Sequence, residues 1–93
     1  MNTKPSLSIL ILDDDLFILK TIRHALTQMD FKNIITAHSV NFALEQLGLG
    51  HFDSIDVIIM DLNMPDTDGI QFFRTLENHN FVGGVILISG EDE

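Results

Sequence analysis

Carboxylates gather at two places in this 93-residue chain, and both follow apolar runs. Asp13, Asp14 and Asp15 stand side by side after "LSILIL" (7–12), and Asp61 closes "DVIIMD" (56–61). Asn63 comes two residues later, then Met64-Pro65, then a turn-forming stretch to Gly69. A hydroxyl, Ser89, closes a further apolar run, "GVILIS" (84–89). Carboxylates packed together repel, and their pKa values rise unless a cation sits among them. A hard divalent ion with oxygen ligands meets that need. Mg²⁺ favours one or two carboxylates with waters and a phosphate over a full protein cage. Plainer accounts exist for each feature alone. Asp13, Asp14 and Asp15 could cap a helix and complement its dipole. The stretch after Asp61 could be an ordinary loop of turn formers. Capping alone does not explain acids at two strand ends together with a hydroxyl at a third.

Such residues need elements to position them, and the chain alternates between two periods. Residues 7–12 form a short apolar run of the kind buried on both faces of a sheet. Over 13–30 the period changes: Leu19, Ile22, Leu26 and Met29 recur at helical spacing and predict an inward stripe. "NIITAH" (33–38) is strand-like. Residues 39–50 open on Ser39, a good N-cap, and close on Gly48 and Gly50, with Ala43, Leu44 and Leu47 on the inner face. Residues 56–61 predict a third strand. Residues 68–80 predict a helix capped by Asp68 with Ile70, Phe73 and Leu76 inward, and Phe72 and Phe73 packing the core. Residues 84–89 predict a fourth strand. The order βαβαβαβ implies an α/β fold, with a parallel sheet and helices on both faces. In open sheets of this kind ligands sit beyond the carboxyl ends of the strands. If the first and third strands are neighbours, Asp13, Asp14 and Asp61 converge in one crevice.

Composition narrows the possibilities. With 45% hydrophobic and 20% charged residues the chain is globular, and its length points to one domain over residues 1–93. It contains no cysteine, so disulfides and thiolate metal sites are excluded. The net charge of −9, with no clustered basic run, argues against nucleic-acid contact and anionic membranes. No apolar run approaches the ~20 residues of a membrane span, and the first residues lack a signal-peptide core. A cytoplasmic location is the expectation. His24, His38, His51 and His79 show no metal-binding spacing.

The segments "ILILDDD", "VIIMDLNMPDTDG" and "VILIS" resemble the response-regulator receiver domain of two-component signalling, in matching order and spacing. The resemblance implies a doubly wound, flavodoxin-like sheet of strand order 2-1-3-4-5. It implies that Asp61 is the phospho-acceptor and Asp14 the direct Mg²⁺ ligand, with Asp13 acting mainly through water. Asn63 would lend its backbone carbonyl to the metal, and Ser89 would contact the phosphoryl group. Asp15 is left to cap the first helix. The implied partners are a sensor histidine kinase or phosphotransfer protein as donor, and an output domain or effector. The protein would not be an enzyme beyond phosphorylating and dephosphorylating itself at Asp61.

The family pattern continues with a further helix, a fifth strand bearing a lysine, and a last helix. In this chain the lysines are Lys4, Lys20 and Lys32, and none follows Asp61. The expectation is therefore a receiver domain incomplete at its C-terminus. Its apolar fourth strand would be a sheet edge open to homodimerisation or segment exchange. Two rivals stand beside this reading. A phosphatase of the haloacid-dehalogenase type needs a second acid where this chain has Asn63. A pseudo-receiver would act as a protein-interaction module and never carry phosphate; the missing lysine favours it and the retained acids do not.

Overall fold

The structure is a computed structural model that describes residues 7–47, 54–61, 69–78 and 81–88, without the side chains of residues 47, 69–71 and 73. The elements run β1 (Ser8–Leu12), α1 (Leu16–Gln28), β2 (Asn33–Ala37), α2 (Val40–Leu47), β3 (Val57–Asp61), α3 (Gly69–Asn78) and β4 (Gly84–Ile88). The βαβαβαβ order read from the periodicities is the order observed.

The strands form one parallel sheet in the order β2-β1-β3-β4. This is the 2-1-3-4 portion of the doubly wound order implied by the resemblance. β1 lies at the centre, pairing Leu12 with Ala37 on one side and with Met60 on the other. Its residues Ile9, Leu10, Ile11 and Leu12 are all buried, which explains a strand with no polar alternation. Successive residues face opposite sides of the sheet. On one side Leu10, Leu12, Ile58 and Met60 pack with Ala43 of α2 and with Phe72 and Leu76 of α3. On the other, Ile9 and Ile11 pack with Leu19, Ile22 and Leu26 of α1. The sheet is thus sandwiched between helices, and the crossovers run over both faces.

Local chemistry fixes the helix ends. Asp15 is the N-cap of α1, its Oδ1 accepting from the Phe17 N–H at 2.9 Å and the Ile18 N–H at 3.4 Å. Ser39 caps α2 by accepting the Phe42 N–H at 3.0 Å. Met29 departs from the expected inward stripe: it is 58% exposed. Helix α1 ends at Gln28, Met29 is its C-cap, and Asp30 adopts a left-handed φ of 72°, so the chain turns away before Met29 can reach the core. On α3 the buried pair is Phe72 and Leu76, one turn apart. Phe72 meets the expectation of a core residue. The side chains of Ile70 and Phe73, the Asp68 cap, and the Leu47, Gly48 and Gly50 terminus of α2 lie outside the described residues.

The opposite end of the sheet is tied by Asp56. Its N–H donates to the Ser8 carbonyl at 2.8 Å, and its Oδ2 accepts the Ser8 N–H at 2.8 Å. Its carbonyl accepts the Gly84 N–H at 2.9 Å, so one residue fixes the entry of β1, β3 and β4. Gly83 is required beside it, since a Cβ there would collide with the Asp56 carbonyl oxygen and the Phe81 ring.

Candidate functional site

The carboxyl ends of β1 and β3 form one side of the site. Because both strands run the same way and Leu12 pairs with Met60, the next residues, Asp13 and Asp61, emerge side by side. Asp14 follows Asp13. The three residues offer carboxylate oxygens that all lie within 4.8 Å of one another. Adjacency of the first and third strands, on which convergence depended, is observed.

The three acids sit in different surroundings. Asp13 is only 3% exposed; Asp14 is exposed and Asp61 half-buried. The Asp13 N–H donates to the Ala37 carbonyl at 3.1 Å, carrying the β1–β2 ladder one residue past the strand. Asp13 Oδ1 accepts the Asp15 N–H at 2.9 Å, which aims the carboxylate and links it to the cap of α1. Asp15 therefore does more than the sequence suggested: its side chain caps the helix and its backbone orients Asp13. The D-x-D spacing of an Asx turn is the signal for this.

Burial pushes the Asp13 carboxyl above its ordinary value of 3.8. The Asp15 N–H opposes that rise, and the neighbouring charges of Asp61, Asp14 and Asp15 add to it. A carboxyl that burial and neighbouring charges make harder to ionise, grouped with the carboxylates of Asp14 and Asp61, is a donor set that suits a hard divalent cation. All ligand atoms are oxygens, one acid is open to water, and a single 2+ ion would offset the repulsion. The residues present therefore fit Mg²⁺.

Asn63 and Ser89, the other two expected site residues, lie outside the described residues, as do Met64 and Pro65. Gly69 is the first residue of α3. Among the described residues, no helix is long and apolar enough to cross a membrane.

Comparison with known proteins agrees with this arrangement. The family model for the response regulator receiver domain matches residues 9–93. The cell cycle transcriptional regulator CtrA of Caulobacter vibrioides is 29% identical over 85 residues, covering 91% of this chain and 35% of that protein. The transcriptional regulatory protein KdpE of Staphylococcus aureus is 31% identical over 85 residues with the same coverages. The chain thus spans about a third of the length of these curated relatives. Among solved structures, the MaeR response regulator bound to beryllium trifluoride superposes with a TM-score of 0.76 at 27% identity, over 94% of this chain and 70% of that one. The match of the family model across almost all of the sequence, on a fold that brings its acids together, establishes that the chain belongs to the response-regulator receiver-domain family of two-component signalling.

Proposed function

We propose that this domain receives a phosphoryl group on Asp61 and signals through the change that follows. The observation that carries the reading is the meeting of Asp13, Asp14 and Asp61 within 4.8 Å at the ends of two adjacent parallel strands. An Asp61 oxygen attacks phosphorus while the bond from phosphorus to the donor's histidine nitrogen breaks. The electron pair stays on the imidazole, and Asp61 becomes an acyl phosphate. Asp13, Asp14, Asp61 and the backbone carbonyl of Asn63 would hold Mg²⁺. When bound, the ion would neutralise charge on the transferring oxygens. Asp13 is set for its part by burial and by the Asp15 N–H. Asp61 is set by its place at the end of a strand paired on both sides. Ser89 contacts the phosphoryl group in this reading. The related MaeR structure holds beryllium trifluoride, a group shaped like a phosphoryl, which supports the same use of the pocket here.

The donor is a phosphohistidine on a sensor kinase or phosphotransfer protein, and the reader of the signal is an output domain or effector in the cytoplasm. The domain itself does no chemistry beyond gaining and losing phosphate at Asp61. Convergence of three carboxylates weighs against a pocket that never carries phosphate. Incubation with a small acyl phosphate and Mg²⁺, followed by intact-mass measurement, tests the proposal. A mass gain of one phosphoryl group that disappears in Asp61→Asn is the expected result. A gain that persists in that variant, or none in the parent with Mg²⁺, overturns it.

A further inference from the structure

The acids of this chain are distributed unevenly. It carries 14 acids and a net charge of −9, yet the 13 residues of α1 contain no Asp or Glu. They do contain Lys20, Arg23 and His24, all exposed. Lys20 and Arg23 are three residues apart and so share a helix face. Lys32 follows between α1 and β2, so this limb holds three of the five Lys and Arg residues.

Arg23 and Lys32 meet at a surface pocket of about 330 Å³ lined by Arg23, Thr27, Asp30, Phe31, Lys32 and Ile34. Its walls carry two cations, Arg23 and Lys32, against one acid, Asp30, with the Thr27 hydroxyl beside them, and half-buried Phe31 and Ile34 supply apolar surface. Lys32 and Ile34 also line a second pocket of about 390 Å³, which runs past Ser8 and Asn33 to Ser54 and Ile55. Helix-dipole complementation does not account for the cations, because the last turn of α1 has no basic residue. Nor does it account for the missing acids or the apolar surface.

We propose that this limb, at the end of the sheet away from the carboxylates, is a docking surface for an acidic polypeptide segment. An apolar side chain of the segment would sit against Phe31 and Ile34, flanked by carboxylates facing Arg23 and Lys32. Two features favour an extended segment over a compact anion. The two pockets share Lys32, so an occupant can run from one into the other. The carbonyl end of α1 also borders the first pocket, and that end of a helix repels a lone anion. On a surface otherwise strongly negative, this is where an acidic partner meets attraction, and that selects for partner and orientation.

The test is a titration of the ¹⁵N-labelled chain with a synthetic peptide of glutamates around one leucine, followed by amide shifts. Shifts confined to residues 20–35 and to Ser8, Ser54 and Ile55 of the adjoining pocket, weakening as salt is raised, are expected. Arg23→Glu with Lys32→Glu should weaken binding about tenfold, the scale of several exposed ion pairs lost together. Phosphoryl acceptance at Asp61 should be unchanged in that variant. If the double variant does not fold, Lys32→Gln alone should still weaken binding measurably. A peptide with glutamine for glutamate should not bind. Shifts spread over the whole surface, equal binding by the variants, or equal shifts from inorganic phosphate would each overturn the proposal.

Discussion

β1 and β4 have nearly the same composition, SILIL and GVILI, and opposite fates. β1 pairs on both sides, and four of its five residues are buried. β4 pairs with β3 alone among the described strands, and Ile86 and Leu87, which face opposite sides of the sheet, are 53% and 45% exposed. An apolar run makes a strand in either place, but position in the sheet decides how much that strand contributes. The site is built on the contributing part. Two of its acids extend the central strand, and the third ends that strand's neighbour.

The contrast should be largest in stability. Leu10→Ala leaves a cavity between α2, α3 and the sheet and should cost about 2–5 kcal/mol in chemical denaturation. Leu87→Ala removes a side chain already half in water and should cost roughly 1 kcal/mol. Equal losses would mean that β4 is covered as fully as β1. Next in size is cation binding. Asp14→Ala should weaken Mg²⁺ binding, read by calorimetry, by more than about tenfold, at least the cost of disturbing an outer-shell partner. Unchanged binding would remove Asp14 from the site.

A smaller effect separates the strands as surfaces. Leu87→Lys places a charge on an apolar edge that has none and should reduce self-association of the 93-residue chain in light scattering over a concentration series. A chain that is monomeric throughout, or association untouched by the change, would show that β4 does not recruit a second copy.

The smallest effect concerns Asp13. Its folded-state pKa is raised, so folding favours the protonated carboxyl. That preference is fully satisfied below the ordinary value of 3.8. It is lost as pH rises through the folded-state pKa, leaving a buried charge at neutral pH. Asp13→Asn keeps the oxygen that accepts the Asp15 N–H and removes the charge. Without divalent ions it should melt a few degrees above the parent at neutral pH, and the gap should close as the pH is lowered through that interval. A variant less stable than the parent at neutral pH would contradict this.

The same contrast marks what the sequence made legible. Period and caps are local, so the seven elements, an acidic cap among Asp13, Asp14 and Asp15, and the Ser39 cap were readable from neighbouring residues, while the choice of Asp15 came with the resemblance. Strand order was not local: it came from the family resemblance, and with it the convergence of Asp13, Asp14 and Asp61. The Asp56–Ser8 clasp joins residues 48 apart, and no pattern in either segment announces it. Met29 fitted a helical stripe and failed because the helix stops one residue before it. Nothing periodic in β4 distinguishes an edge from a centre; its edge position was expected from the family pattern alone, and the exposure of Ile86 and Leu87 agrees with it.

Borohydride trapping tests the central claim most directly. An acyl phosphate on an aspartate is reduced by borohydride to homoserine, which marks the residue permanently. After treatment with a small acyl phosphate and Mg²⁺, peptide mapping should find homoserine at position 61 and aspartate unchanged at 13, 14 and 15. Homoserine at any of those three positions, with position 61 unmodified, would contradict the account.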